Sequence, residues 1–418
     1  MIDIKILRNN PEIVRKSLIN RNMNSNLVDD FLAIDEEWRS LIKKIDDLKF
    51  NQKELTRNRN IEESKKIKEE IKNLEDVAKT IEIKRNNILE LIPNIPFDDV
   101  LIGKDENENK VLKEVGEKPK FDFSPRDYLE IAEDLDLIDT KKASEVSGSR
   151  FGYLKNEAAI LEFGLIKLAF DVLLKEGFIP IVPPVLIKPE VYQKMGRLSG
   201  DQKEERYYLA KDNLYLVGSA EHTLGPLHLN DIFEEKDLPR RYVGFSTCFR
   251  REAGSYGKDT KGILRVHQFD KVEMFSFSKP ENSEEEHRYL LSLQEKLMTM
   301  LKLPYRVVEI CTGDMGFTDA RQFDIETWLP GQLSKDGKNK GIYRETHSCS
   351  NTTDFQARGI NARIRRKNGS LEFVHMLNAT GFAIGRIIIA ILENYQTKDG
   401  KIIVPEVLRD YLKKEIIG

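Results

Sequence analysis

The chain has 418 residues, too many for one ordinary hydrophobic core, so we expect more than one domain. Its 67 Lys and Arg balance 70 Asp and Glu, which excludes a uniformly basic nucleic-acid coat protein but not a local basic surface. Three widely spaced cysteines, Cys248, Cys311 and Cys349, argue against a disulfide framework. No apolar run reaches the roughly 20 residues of a membrane span, so we expect a cytoplasmic chain without membrane contact.

The first 100 residues have a helical pattern. A cap over residues 1–22 is expected to hold one helix, which starts at Asn10-Pro11-Glu12. Apolar residues then recur at steps of three and four in two segments, without Gly or Pro between residues 27 and 92. This predicts two antiparallel helices of roughly 40 Å each, joined near Asn58 and Asn60. The seam residues are Phe31, Ile34, Trp38, Leu41, Ile45, Leu48 and Leu55, followed by Ile67, Ile71, Leu74, Ala78, Ile81, Ile88 and Ile92.

The turn of this hairpin arm is rich in basic residues. They are Lys49, Lys53, Arg57, Arg59, Lys65, Lys66 and Lys68, and three glutamates lie among them. A projecting arm with such a tip suits contact with a nucleic-acid backbone. A dimerisation or spacer arm is the alternative, because any solvated helix shows mixed charge.

The body after residue 125 begins with an apolar helix and a proline-rich run. Residues 161–174 are apolar on nearly every face, which predicts burial all round or against a partner subunit. The prolines of residues 178–186 suit a sheet edge or a subunit seam. Two strand-like runs then flank a glycine-rich basic loop over residues 253–262, and charges such as Arg250 and Arg265 suit a polyphosphate. A surface hairpin with paired charges is the alternative.

Two later segments also carry candidate chemistry. Glu345 and Ser348 lie in a run of small polar residues and offer oxygen ligands for Mg²⁺, although an ordinary polar loop has the same composition. Arg386 lies at the start of a very apolar helix, where a guanidinium needs an anion or a structural salt bridge. The phosphate-binding GxxxxGK[ST] and GxGxxG motifs are absent, so any bound ATP must be held by arginines and a hairpin.

Taken in order, these segments resemble the class II aminoacyl-tRNA synthetases, and within them the seryl-tRNA synthetase family. Residues 177–184 resemble motif 1, residues 249–273 motif 2, and residues 378–386 motif 3. Ser219-Ala-Glu resembles the family's Thr-Ala-Glu loop. Glu345-Thr-His-Ser-Cys-Ser-Asn, followed by Asp354-Phe-Gln-Ala-Arg, resembles its serine-specific signature. The resemblance covers essentially the whole chain.

The resemblance implies an α+β fold: an N-terminal antiparallel two-helix coiled-coil arm and an antiparallel β-sheet core flanked by helices. We expect residues 1–100 to form a tRNA-binding domain, with its arm at about 27–92, and residues 101–418 to form the catalytic domain. It also implies a homodimer that activates L-serine with ATP and then charges serine tRNA, whose long variable arm contacts the hairpin. Selenocysteine tRNA is a further candidate substrate.

Each role carries over to a matching position. Arg250, Glu345 and Arg386 are the expected catalytic residues. The expected serine site comprises Ser219, Ala220, Glu221, Arg250, Glu273 and Thr380. The expected ATP site comprises Arg250, Arg251, Glu252, Val266, Phe269, Glu345, Thr346, His347, Ser348 and Arg386, and Glu345 with Ser348 are the expected Mg²⁺ ligands.

The chain departs from the family pattern at a few positions, and two rivals share its motifs. Ser219 and Thr380 exchange one hydroxyl residue for another, whereas His347 adds an imidazole that either contacts the nucleotide or points away. Gly359 replaces a frequent arginine after Arg358 and puts one backbone or tRNA contact in doubt. A carrier-protein ligase lacks the hairpin arm, and a catalytically dead paralogue would lack Arg250, Glu345 or Arg386.

Overall fold

A computed structural model describes residues 1–253, 261–333 and 340–418. The predicted glycine-rich loop at 253–262 therefore lies mostly outside the described residues. The described residues divide into two compact units, Met1–Ile95 and Pro96–Gly418. No helix in these parts of the chain is long and apolar enough to cross a membrane.

The N-terminal unit consists of four helices: α1 (Ile4–Asn9), α2 (Pro11–Asn20), α3 (Leu27–Arg57) and α4 (Ile61–Leu89). The prediction of one helix before residue 22 is wrong, because the Asp3 carboxylate accepts from the Lys5 N–H at 2.9 Å and caps an additional short helix. Pro11 starts α2, as predicted.

Helices α3 and α4 form the hairpin arm, and their seam matches the predicted spacing. Ile45, Ile71 and Ala78 are buried in it, and Leu41, Leu48, Ile67 and Leu74 pack around them. At its base, the buried Asp35 carboxylate lies 2.7 Å from Arg8, 3.0 Å from Arg39 and 3.7 Å from Arg85. The heptad pattern identified the apolar seam, but this charge cluster was not predicted.

The body is built on strands from distant parts of the chain. In chain order they are β1 (Lys110–Val115), β2 (Ile138–Asp139), β3 (Tyr153–Leu154), β4 (Ile179–Ile181), β5 (Leu186–Ile187), β6 (Tyr208–Leu209), β7 (Leu214–Leu216), β8 (Ile232–Glu234), β9 (Arg240–Phe249), β10 (Gln268–Ser278), β11 (Tyr305–Glu309), β12 (Arg321–Leu333), β13 (Lys340–Asn351), β14 (Arg363–Arg365), β15 (Leu371–Phe373), β16 (His375–Ala383), β17 (Ile402–Ile403) and β18 (Ile416–Ile417). Within the described residues, eight of them form one sheet in the order β1-β11-β12-β13-β16-β10-β9-β4.

Neighbouring strands of this sheet are antiparallel except β4 and β9, which are parallel. The proline-bearing β4 lies at one edge, which confirms the predicted edge position. Strand β1, which precedes residue 125, lies at the other edge.

Helices cover the sheet and bury its core. The helices of the body are α5 (Tyr128–Asp134), α6 (Thr140–Ser147), α7 (Asn156–Lys175), α8 (Pro189–Lys194), α9 (Glu221–Leu224), α10 (Ser283–Met300), α11 (Phe355–Ile360), α12 (Ile384–Asn394) and α13 (Glu406–Leu412). Leu161, Leu165 and Leu168 bury one face of α7 in the largest core, together with α12 residues such as Ile388. Its opposite face is open, where Phe163 is 66% exposed. In the single chain, therefore, α7 is not buried all round.

Candidate active site

A cavity of about 260 Å³ opens beside the adjacent strands β9, β10, β16 and β13. Residues from separate parts of the chain meet in it, including two of the three arginines and most of the acidic and hydroxyl groups predicted to bind ligands. The predicted residues that line it are Ser219, Glu221, Arg250, Glu252, Val266, Phe269, Glu345, Thr346, Ser348, Thr380 and Arg386. Their convergence gives one polar pocket with both cationic and anionic walls.

Arg250 and Phe269 lie at the loop end of the β9–β10 hairpin, where β9 ends and β10 begins. The Arg250 guanidinium lies 5.2 Å from the centre of the Phe269 ring, and its Nε donates to the Gly218 carbonyl at 3.1 Å. Arg250 also lines the cavity, so its guanidinium can meet an anion there. An aromatic ring beside a cation is a surface on which a nucleobase can stack.

Glu252 is held in an uncommon backbone conformation. Its φ is +54°, in the left-handed region that non-glycine residues rarely adopt, and such residues cluster at functional sites. The Arg265 guanidinium donates to the Glu252 carboxylate at 2.7 Å and also lines the pocket. The sequence analysis named Arg265 among the hairpin charges that suit a polyphosphate, but the ATP site implied by the family resemblance did not include it.

A β-bulge aligns the inner end of the pocket. Strand β16 has one extra residue, Gly381, opposite the step from Val272 to Glu273, so Glu273 pairs with Thr380. A side chain at Gly381 would approach the Val272 carbonyl oxygen to 3.2 Å. The bulge therefore places a carboxylate directly across from a hydroxyl group.

Glu221 is nearly buried and carries its own cation. The Arg197 guanidinium lies 2.5 Å from its carboxylate, and His222 Nε2 lies 3.3 Å away. Burial opposes ionisation of Glu221, but Arg197 outweighs it and holds the pKa of this acid well below its ordinary value. Burial lowers the pKa of His222 to about 3, so the imidazole is neutral. Its Nδ1 accepts from the Gly218 N–H at 3.0 Å.

Glu345 and Arg386 contact each other across the pocket. The Arg386 guanidinium donates to the Glu345 carbonyl at 2.7 Å and lies 3.3 Å from the carboxylate. Desolvation opposes ionisation of Glu345, although half of its side chain is exposed, and Arg386 and then Arg250 hold its pKa below the ordinary value. The carboxylate is therefore ionised at neutral pH.

A second β-bulge brings Glu345 and Ser348 to one face of β13. Ile325 pairs with His347 and Glu326 with Glu345, so Thr346 is the extra residue. In a regular strand, residues three apart point to opposite faces. Because of the bulge, Glu345 and Ser348 both line the pocket, whereas His347 lies on the other side.

The oxygen groups near Ser348 fit a hard cation. Asp324 pairs with Ser348 across the strands, and Gln322 Nε2 donates to both, at 2.9 Å to Asp324 and 3.2 Å to Ser348. Burial and then the Glu345 carboxylate raise the pKa of Asp324 well above its ordinary value. Such repulsion is relieved by a bound cation, and Mg²⁺ is typically held by one or two carboxylates plus substrate phosphates. Among the described residues, no cluster of three or more metal-binding side chains exists.

Four predicted residues do not line the pocket. Arg251 is exposed, its guanidinium 5.8 Å from the centre of the Tyr207 ring. Ala220 is buried. Glu273 is buried next to the pocket-lining Lys271, which forms an ion pair with it. His347 is buried against Phe382, its Nδ1 is 2.8 Å from Thr346 Oγ1, and burial lowers its pKa to about 3. Of the two alternatives for His347, the structure therefore has the one in which the imidazole points away from the pocket.

Gly359 lies where two helices approach each other closely. A Cβ atom at this position would lie 1.8 Å from the Lys194 carbonyl oxygen. No larger side chain fits this close approach of α11 to the end of α8, which makes the substitution a structural requirement of this chain.

Comparisons with known proteins cover both units. The model of the seryl-tRNA synthetase N-terminal domain matches residues 1–96, and that of the class II tRNA synthetase core domain (G, H, P, S and T) matches residues 206–395. The serine–tRNA ligase of Dictyoglomus turgidum is 43% identical over 99% of this chain and 98% of its own length. That of Fervidobacterium nodosum is 42% identical over 100% and 99%.

The chain belongs to the seryl-tRNA synthetase family. Among solved structures, the seryl-tRNA synthetase from Pyrococcus horikoshii complexed with ATP has a TM-score of 0.91 and 39% identity, covering 100% of this chain and 99% of that one. The resemblance and the α+β class II fold predicted from the sequence are confirmed. Membership of this family makes the chain a class II ligase that joins serine to tRNA.

Some pocket residues of this synthetase were missed in the sequence prediction. Arg197 follows α8 in a segment without periodicity, so only the fold brings it to Glu221. Asp319 also lines the pocket and accepts from Ser350 Oγ at 2.9 Å. Lys271 had a visible signal, because it alternates with Phe269 and Glu273 along one strand face.

Proposed function

We propose that the pocket activates L-serine with ATP to form seryl-adenylate and then transfers the seryl group to the 3′ end of serine tRNA. The observation that carries this assignment is the convergence in one cavity of two arginines, an aromatic ring and a hydroxyl-lined end, at Arg250, Arg386, Phe269 and Thr380. The ATP-bound Pyrococcus horikoshii structure, with the same fold over the full chain, supports ATP as the nucleotide.

In the first step, a serine carboxylate oxygen attacks the α-phosphorus of ATP and the bond to pyrophosphate breaks. Arg250 binds both the serine carboxylate and the α-phosphate, which aligns the attack and neutralises charge in the transition state. Phe269 stacks on adenine, while Glu252 and the backbone at Val266 read its edge. Arg386 binds the γ-phosphate and is supported by its contact with Glu345.

The serine site discriminates by a hydroxyl group. Thr380, which lines the pocket, and the buried Glu273, which pairs with it across the bulge, bind the substrate hydroxyl. Ser219 and Glu221 line the pocket and complete the site around the ammonium. If alanine enters, these buried polar groups are left without partners, which disfavours its activation strongly. Threonine is excluded by its extra methyl group.

Glu345 and Ser348 would hold a Mg²⁺ ion, with Asp324 beside them, since their oxygen atoms suit this cation. The metal supplies charge neutralisation for the phosphates when bound. The chain's own contribution is to fix these oxygens on one strand face through the β13 bulge.

In the second step, the 3′-terminal ribose hydroxyl of the tRNA attacks the seryl carbonyl carbon and AMP leaves. We assign the tRNA-binding domain predicted over residues 1–100, which contains the N-terminal unit, to binding of the long variable arm of serine tRNA. Selenocysteine tRNA is kept as a candidate substrate. The exposed basic residues of the arm support this, since phosphate contacts dominate such interfaces. Because acidic residues lie among them, binding should be moderate and salt-sensitive.

We further propose a homodimer in the cytoplasm. Phe163 on α7 and Val182 after the edge strand β4 are 66% and 82% exposed, and such apolar exposure suits a subunit interface. The cysteines are free and buried, which suits a reducing compartment. Phe163→Asp should convert the dimer to a monomer in light scattering after size-exclusion chromatography; an unchanged mass would contradict this interface.

The deciding experiment is serine-dependent ATP–pyrophosphate exchange, followed by charging of a long-variable-arm tRNA and of the same tRNA without that arm. We expect exchange with serine and charging of the intact tRNA alone. A carrier protein with a phosphopantetheine arm tests the ligase alternative, which the arm-bearing N-terminal unit disfavours. Absence of exchange would leave the catalytically dead paralogue as the better hypothesis.

A further inference from the structure

The serine end of the pocket contains a cation that belongs to the protein. Lys271, on the same face of β10 as Phe269 and Glu273, lines the pocket and is almost buried, with 11% of its side chain exposed. Its ammonium forms an ion pair with Glu273 Oε2 and lies 3.4 Å from Ser219 Oγ. A buried lysine beside a substrate site needs an explanation, since desolvation of an ammonium is costly.

The two oxygens of Glu273 have different surroundings. Oε2 contacts Lys271 and accepts from Ser219 Oγ at 3.0 Å. Oε1 is buried and has no hydrogen-bond partner among the described residues. An unsatisfied buried carboxylate oxygen costs free energy, so it marks a place where a donor from a ligand fits.

Glu273, which carries the unsatisfied Oε1, pairs with Thr380 across the sheet. Because Lys271 and Ser219 both hold Oε2, the carboxylate is fixed with Oε1 as its remaining acceptor. We propose that Lys271 is a positioning residue for serine recognition: it holds one oxygen of Glu273 so that the other accepts the serine hydroxyl. This inference rests on the proposed function.

The charge of Lys271 also keeps Glu273 able to accept. Burial raises the pKa of Glu273 and the Lys271 ammonium opposes that rise. The other groups that act on Glu273 are Glu221, Arg197 and the thiols of Cys248 on β9 and Cys349 on β13. Burial raises the pKa of Cys248 to about 11 and that of Cys349 well above its ordinary value, so both thiols are neutral. Removing the Lys271 charge therefore raises the pKa of Glu273 further.

The test compares Lys271→Met, which keeps chain length, with Lys271→Arg, which keeps the charge. Lys302→Met is the matched control, because Lys302 forms an exposed ion pair with Glu406 at 2.9 Å and does not line the pocket. Kinetic constants for serine, alanine and ATP are measured by pyrophosphate exchange from pH 6 to 9, and stability by urea denaturation.

For K271M we expect the KM for serine to rise about 10- to 100-fold, the loss of one well-placed buried hydrogen bond. The KM for ATP and exchange with alanine should stay within about twofold of wild type, so the preference for serine over alanine falls. The acidic limb of kcat/KM for serine should move to higher pH. K271R should keep the wild-type acidic limb and recover part of the preference, and K302M should match wild type.

Three results would overturn the proposal. An unchanged serine-to-alanine preference in folded K271M would leave Lys271 as a structural ion pair. A lower KM for serine would show that the lysine competes with the substrate. Equal loss in K271M and K271R, with the same pH profile, would assign the effect to packing. If K271M does not fold, Lys271→Gln takes its place with the same expectations. Failure of wild-type exchange would instead refute the proposed function.

Discussion

Replacing Arg386 by alanine separates a ligand-binding arginine from a structural one. In the free chain, Arg386 has 26% of its side chain exposed and contacts the Glu345 carbonyl at 2.7 Å and its carboxylate at 3.3 Å. A structural salt bridge at the start of α12 and a phosphate clamp use the same guanidinium. A structural salt bridge contributes to the free energy of unfolding. A phosphate clamp contributes to the rate of pyrophosphate exchange instead.

The stability change should be small. The lost ion pair lies at a pocket wall open to solvent, where such pairs contribute about 0–1 kcal/mol. The Glu345 carbonyl, freed of its donor, can accept from water in the open pocket. If Arg386 binds the γ-phosphate, its loss in the transition state should resemble removal of one preorganised donor, about 2.7–4 kcal/mol or 10²- to 10³-fold in rate. The two magnitudes are far enough apart to decide.

The assay is pyrophosphate exchange per folded molecule, with urea denaturation of the same preparation. Arg366→Ala is the control, because Arg366 pairs with Glu281 at 2.7 Å, lines no part of the pocket and carries a similar partly buried charge. We expect R386A to lose exchange and keep stability, and R366A to lose stability and keep exchange. If R386A destabilises the body with full activity per folded molecule, the phosphate role of Arg386 is refuted.

Other variants probe the fold and its pH dependence. Asp35→Ala should lower the unfolding free energy of the N-terminal unit by about 3–5 kcal/mol without changing serine exchange, since it leaves the buried Arg85 and the partly exposed Arg8 without their shared carboxylate. Burial opposes ionisation of Asp35, but Arg8 and the other arginines lower its pKa. The carboxylate therefore stabilises the fold above about pH 4, and this stabilisation is lost as the pH falls through the depressed pKa. Circular dichroism against pH should show that loss in the wild type and not in the variant. Burial raises the pKa of Glu393 to about 8, so between about pH 4.5 and 8 its carboxyl ionises in the unfolded chain but stays protonated in the folded one. The free energy of unfolding should therefore fall by a few kcal/mol over this range, and Glu393→Gln should flatten that slope in urea denaturation. Gly359→Ala should cost about 1–3 kcal/mol or more, because its Cβ would lie 1.8 Å from the Lys194 carbonyl oxygen; a thermal midpoint equal to wild type would contradict this clash.

Local patterns in the sequence predicted local structure well. The heptad spacing identified the arm because helical periodicity depends only on neighbours three and four residues apart, and Ile45, Ile71 and Ala78 occupy the seam it predicts. The prolines placed β4 at a sheet edge because they lack an N–H to donate. The Asp35 cluster was not visible, since its arginines come from α1, α3 and α4.

The site itself depends on register, which no periodic pattern contains. Glu345 and Ser348 are three residues apart and would point to opposite faces of a regular strand. Strand alternation alone therefore conflicts with the family resemblance, which predicts that both side chains bind one Mg²⁺. The extra residue at Thr346 in β13 resolves this conflict and turns His347 into the core. The extra residue at Gly381 in β16 does the same for Thr380 and Glu273. Two one-residue bulges on adjacent strands thus convert regular pairing into a pocket with phosphate-binding and hydroxyl-binding ends, and both depend on tertiary pairing rather than on local composition.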